Sequence, residues 1–290
     1  MSESSGVREV LFGLEEYLKF RNNEEHVKLI RDFVKILDSE DREKAMLEYC
    51  IKNLSSADNK DKIFRSIFDY KKKVDNDDIY DAFSRSQIKS KIWLVDELSK
   101  LDTDENRSRG IFPLKGPVMS NVMIMAGWFG QIKTIFDKKM NYKKMRILEL
   151  DRNACEASDY IFNLPELENY KVKAVNVDIN NLTLHKNGYE WDVENFKEGT
   201  KYSEKFLPDL IINTSAEHMT EEWYNQIRFK DMESNPIVAI QSNNLFDIPE
   251  HINCVHSVDH MKKKFPMKEI LFEGELQLKG YKRVMLIGKP

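Results

Sequence analysis

The sequence predicts an α/β chain. An all-helical N-terminal domain, residues 1–108, precedes a doubly wound, mostly parallel seven-stranded sheet in residues 109–290. Three observations carry this expectation. Through residue 108, apolar residues recur at helical spacing, no proline occurs before Pro113, and the glycines are Gly6 and Gly13. From Val122 onward, short apolar runs alternate with helical segments, the pattern of βαβ units. The chain then closes on two strand-like stretches, Glu269 to Leu278 and Arg283 to Ile287, joined by a Lys279-Gly280-Tyr281 return.

Within the helical part, Val10, Leu14 and Leu18 mark one helix, and Val27, Ile30, Val34 and Leu37 mark the next. The run Asp38-Ser39-Glu40-Asp41 suits the end of one helix and the cap of another. Met46, Tyr49, Cys50, Leu54, Ile63, Ile67 and Phe68 continue the pattern, giving four or five helices in a bundle or cap. A last helix places Phe83, Gln87, Lys91 and Leu94 on one side. Gln87 and Lys91 there can meet a substrate or cofactor carboxylate in a cleft. The alternative is an amphipathic helix with the lysine stem along apolar surface and its head in water. Asp102 to Arg109 is a polar linker and Gly110 to Pro117 a loop, so the boundary is expected near 105–112.

The second part is organised around Val122 to Asp151. Val122-Met123-Ile124-Met125-Ala126 is apolar throughout, as befits a strand covered on both faces. Gly127 and Gly130 bracket Trp128-Phe129 at a turn where backbone can approach a ligand closely. After a short helix, Ile147-Leu148-Glu149-Leu150 forms a second strand that delivers Asp151 to its carboxyl end. An acidic residue there can accept hydrogen bonds from ribose hydroxyls, which implies a nucleoside-containing cofactor. A helix over Ala154–Phe162 leads to a strand over Val172–Val177 ending on Asp178. Leu184 to Phe206 is polar and aromatic, an excursion rather than a core helix. A strand over Asp209–Asn213 runs into Thr214-Ser215-Ala216-Glu217-His218-Met219, followed by a helix over Glu221–Phe229 and a strand over Ile237–Gln241.

Composition removes several function classes. Lys and Arg number 45 against 49 Asp and Glu, so the net charge of −4 gives no global attraction to nucleic acid or an anionic membrane. No apolar run reaches the length of a membrane span, and the polar start is not a signal peptide. Cys50, Cys155 and Cys254 are far apart and form no CxxC pair, as expected of a reducing, cytoplasmic compartment without a cysteine zinc site. His251, His256 and His260 share a region but lack carboxylates at helical ligand spacing, so no metal is expected. The Lys/Asn/Asp-rich, glycine-poor makeup resembles that of phage or AT-rich bacterial proteins.

Five strands alternating with helices and closed by an antiparallel pair resemble the class I S-adenosylmethionine-dependent methyltransferases, over roughly residues 115–290. In that family a glycine-rich loop after the first strand wraps the methionine part of the cofactor. Ala126-Gly127-Trp128-Phe129-Gly130 takes that place, with two aromatics where the family usually has GxGxG. The resemblance implies S-adenosylmethionine as cofactor, ribose binding by Asp151 (Glu149 being the second choice) and an adenine contact by Asp178. Asn213 and Ser215 are then candidate contacts to cofactor or acceptor, the alternative being hydrogen bonds that stabilise the turn. His218 lies at the acceptor as a base, or as a residue that shapes the turn or packs on the cofactor. Trp128 and Phe129 either pack on the cofactor or fill core. An NAD-binding domain would instead supply GxGxxG. The fourth strand is not followed by the Asn/Asp-Pro-Pro-Tyr/Phe motif of amine-methylating relatives, and no Pro-Cys pair occurs, so a small-molecule or protein acceptor is expected over nucleic acid. The same cofactor site can also move an aminobutyl group, as in nicotianamine-synthase-like enzymes, or persist in a non-catalytic scaffold.

Overall fold

A computed structural model describes residues 3–36, 81–108, 119–162, 171–196, 198–229 and 232–290. The helical periodicity from Met46 to Phe68, the run Asp38–Asp41 and the loop Gly110–Pro117 lie outside the described residues. The helices are α1 (Glu3–Phe20), α2 (Glu24–Ile36), α3 (Arg85–Leu101) and α4 (Asp104–Ser108). The expected linker therefore contains a helical turn. Thr103 Oγ1 accepts the Asn106 N–H at 3.2 Å, and Arg107 braces Asp102 at 2.7 and 2.8 Å. Helix α3 starts where Ser84 Oγ accepts the Gln87 N–H.

The main sheet comprises β1 (Met119–Met125), β2 (Tyr142–Glu149), β3 (Val172–Asn176), β7 (Leu210–Asn213), β8 (Ile237–Asn243), β9 (Glu269–Gln277) and β10 (Lys282–Lys289). Its order is β3-β2-β1-β7-β8-β10-β9. The pairings from β3 through β8 are parallel, and β10 lies antiparallel to both β8 and β9. Helices α5 (Gln131–Lys139), α6 (Arg152–Phe162), α7 (Glu222–Phe229) and α8 (Val258–Lys264) complete the layers. The segment read as an excursion folds into a small antiparallel sheet of β4 (Leu184–His185), β5 (Gly188–Glu194) and β6 (Lys201–Phe206). Its signal was the alternation of buried Tyr189, Trp191 and Val193 with exposed Glu190 and Asp192.

Strand β1 shows why the sheet is covered twice. Val122 and Ile124 point into one core with Val10, Leu14, Leu94 and Ile132. Met123 and Met125 point into the other, with Trp191, Phe206, Trp223 and Phe265. Alternate residues of one strand thus feed opposite layers. The N-terminal helices share the first of these cores with the sheet. On the opposite face Arg146 reaches Glu204 of β6 through two bonds of 2.7 and 2.6 Å, fixing the small sheet on the large one.

Candidate functional site

In open α/β sheets ligands sit outside the carboxyl ends of strands where the strand order reverses. Here that point lies between β1 and β7. The chain leaving β1 turns through Ala126 (φ 48°), Trp128 (φ 48°) and Gly130 (φ 69°), all in the left-handed region. Two of these are not glycine, so the loop needs external support. Glu149, the last residue of β2, gives it. Its Oε2 accepts the Trp128 N–H at 2.8 Å, and its Oε1 accepts those of Leu150 and Asp151 at 2.8 and 3.0 Å. Burial raises the Glu149 pKa, and these three N–H groups partly offset that rise. The strand ends at Glu149 rather than continuing to Leu150, because the carboxylate turns the following amides back on itself and leaves Leu150 68% exposed.

The glycines of this loop are set by space. A Cβ on Gly127 would meet Ile147 Cγ2 at 2.4 Å, and one on Gly130 would meet Phe162 at 2.5 Å. Asp151 is exposed, and its Oδ1 accepts the Asn153 N–H at the start of α6 at 2.8 Å. Asp178 accepts from Asn180 N and Asn181 Nδ2, shaping the turn after β3. Beside it lies an open cleft of about 480 Å³ lined by Asn176, Val177, Asn181, Thr183 and Trp191 among others.

The carboxyl end of β7 carries the most concentrated chemistry. Asn213 is buried, its Oδ1 accepting the Ser215 N–H at 3.0 Å and its Nδ2 contacting Met219 Sδ at 3.1 Å. This drives the chain into the short turn Ala216–His218. Glu217 is 1% exposed, and its Oε1 receives Arg283 Nη1 at 2.7 Å and Asn243 Nδ2 at 2.8 Å. His218 is exposed and packs edge-on against His251, ring centroids 4.6 Å apart. Asn253 holds the two loops in register. Its N–H donates to Glu217 O at 2.9 Å, its Nδ2 to Met219 O at 3.0 Å, and Lys264 Nζ contacts its Oδ1.

Helix α3 joins this group from the side. Gln241 Nε2 of β8 donates to Ser90 O at 3.0 Å, and the buried Lys91 donates to Gln87 Oε1 at 2.7 Å. Burial, reinforced by repulsion from Arg283, lowers the Lys91 pKa to about 7. Asp81 lies within electrostatic reach of Lys91, Arg283, His218 and His251. The structure therefore brings Gln87, Lys91, Asn213, Ser215 and His218 to one end of β7 and β8, and Gly127, Trp128, Gly130 and Asp151 to the adjoining ends of β1 and β2. Asp178 lies beyond them at the end of β3. Sequence reasoning passed over Asn243, His251 and Arg283 as site residues. The signal for Asn243 and Arg283 was positional, since they sit at the end of β8 and the start of β10. His251 lies in the loop after β8 and reaches the β7 turn only through its contact with His218.

The sheet order, the antiparallel β10 and the β1–β7 switch point define a class I S-adenosylmethionine-dependent methyltransferase fold. No family model matches the chain, and no curated protein matches it. Among solved structures it is similar to a SAM-dependent methyltransferase from Aquifex aeolicus (16% identity, 68% of this chain and 97% of that one, TM-score 0.39). It is also similar to a SAM-dependent methyltransferase from Leishmania major (16%, 82% and 89%, 0.45). A third is the magnesium protoporphyrin IX methyltransferase of Synechocystis PCC 6803 with bound SAH (10%, 70% and 84%, 0.44). Identities and TM-scores at this level leave the functional reading to the residues of the chain itself.

Proposed function

We propose that the protein is an S-adenosylmethionine-dependent methyltransferase acting on a small-molecule or protein acceptor. One observation carries this reading. At the β1–β7 switch point, a tightly braced backbone loop at the end of β1 adjoins a charged, histidine-bearing turn at the end of β7. The first suits a cofactor and the second an acceptor.

In this reading the loop Gly127–Gly130 wraps the methionine part of the cofactor and Asp151 receives the ribose hydroxyls. Glu149 already accepts three N–H groups, which favours Asp151 for the ribose and leaves Glu149 to hold the loop. Asp178 serves the adenine end, while Asn213 and Ser215 shape the floor. Gln87 and Lys91 face a carboxylate of cofactor or acceptor. Transfer itself is an in-line displacement, so the protein's main work is alignment of nucleophile, methyl carbon and sulfur. His218 stands where it can receive the acceptor's proton.

Isothermal titration calorimetry with S-adenosylmethionine and S-adenosylhomocysteine tests the reading. Saturable binding is expected, weakened at least about tenfold, roughly 1.4 kcal/mol, by Asp151→Ala. Failure of both ligands to bind the intact protein would remove the cofactor assignment. Once an acceptor is found, S-adenosylhomocysteine rather than methylthioadenosine is the expected product.

A further inference from the structure

We infer that Glu217, His218 and His251 form a binding site for a divalent transition-metal ion at the acceptor end of the crevice. Each offers one ligand atom, and the three atoms lie within 4.8 Å of one another. Donors sharing one ion at about 2.0–2.2 Å sit closer than this. The adjustment falls to His218, the exposed member of the three.

Two features of the surrounding structure point to a ligand. Glu217 Oε2 is buried and has no hydrogen-bond partner among the described residues, although Oε1 of the same carboxylate has two. A buried carboxylate oxygen without a donor is costly unless a cation meets it. His251 is oriented in the manner of a metal ligand. Its Nδ1 lies 3.1 Å from Leu245 O, and a carbonyl can only accept, so Nδ1 carries the proton and Nε2 presents its lone pair. Arg283 and Asn243 clamp Glu217 from behind as outer partners, and the Asn253 bonds fix the His251 loop against the β7 turn.

Two imidazoles and one carboxylate select borderline ions such as Zn²⁺, Fe²⁺ or Co²⁺ over Ca²⁺ or Mg²⁺, and they leave coordination positions open. His218 is exposed, so the site is open to solvent and to an incoming ligand. Resting on the transferase reading, the ion would bind an acceptor hydroxyl and lower its pKa. The proton leaves to water, the oxygen lone pair forms the bond to the methyl carbon, and the carbon–sulfur pair departs on sulfur as the neutral thioether. His218 then acts as a ligand in place of a base.

The test uses the untagged 290-residue chain, stripped with chelator and titrated with CoCl2. Visible absorption of bound Co²⁺ and calorimetry are both read. One equivalent per chain is expected. His218→Ala and His251→Ala should each lower the affinity by more than the roughly 10–100-fold that an outer-shell partner is worth. His218 is exposed, so its variant keeps the wild-type urea midpoint and separates lost binding from lost folding. No saturable Co²⁺ binding, or wild-type affinity in both variants, overturns the inference. S-adenosylmethionine binding, titrated in the same samples, distinguishes the two claims. Cofactor binding without Co²⁺ sinks only the metal site, and Co²⁺ binding without the cofactor sinks only the transferase.

Discussion

Lys91 and Arg283 are both buried beside Glu217, yet burial treats them differently. Arg283, 3% exposed, keeps its charge because Glu217 Oε1 lies 2.7 Å away. Lys91, 5% exposed, has Gln87 as its hydrogen-bond acceptor, and its pKa falls from 10.5 to about 7. Burial is the largest cause and repulsion from Arg283 the next, with Asp81 and Glu217 pulling the other way. Between those two pKa values the unfolded chain holds a proton that the folded chain has lost. Stability of the metal-free protein should therefore rise with pH across that window, by up to about 1.4 kcal/mol per pH unit. Below it both states are protonated and the penalty is fully present. Lys91→Met should relieve the penalty most at and below about pH 7, with the gain shrinking as pH rises. Urea unfolding at about pH 6, 8 and 9.5 measures this. A constant offset at all three would show that Lys91 does not titrate in the window.

At the scale of the element, the loop between β1 and α5 is held by its neighbours more than by its own residues. Ala126 and Trp128 occupy left-handed backbone because Glu149 and the Gly127 N–H to Leu148 O bond, 3.0 Å, fix the turn. Gly130 ends the loop under two constraints at once: its φ is 69°, and side chains of Ile147, Ser158 and Phe162 come within 2.8 Å of the point that a Cβ would occupy. Gly130→Ala should cost at least about 2 kcal/mol, combining left-handed strain with overpacking. Gly280→Ala supplies the comparison. Its φ is 85° but a Cβ there meets nothing within 4 Å, so it carries the backbone cost alone. Equal losses in urea midpoint for the two variants would show that crowding around Gly130 is relieved by small movements.

For the whole molecule, the consequential feature is the core shared between the N-terminal helices and one face of the sheet. Leu94 of α3 is fully buried in it, as are Val10 and Leu14 of α1 and Ile287 of β10. Leu94→Ala should cost about 2–5 kcal/mol. The loss should appear as one earlier transition, coincident by circular dichroism and tryptophan fluorescence. Two separated transitions would mean that the helices unfold without the sheet. The same attachment brings α3, with Gln87 and Lys91, to the edge of the candidate site. Among the described residues no helix is long and apolar enough to cross a membrane.

The order of strands and helices was legible because burial on two faces writes continuous apolar runs into the strands, as in Val122–Met125 and Leu210–Ile212. The positions of the loop glycines after β1 and of Asp151 after β2 were legible because strand ends are marked by changes of residue type. The small sheet was harder, since its alternation at Tyr189, Trp191 and Val193 is interrupted by turns and surrounded by polar residues. Tertiary structure alone decided that Glu149 is occupied with the loop, that Lys91 is buried beside Arg283, and that His251 meets the Glu217–His218 turn. Periodicity reports which face of an element is buried, whereas a site joins residues from different strands. Their meeting depends on sheet order and loop packing, which no local pattern encodes.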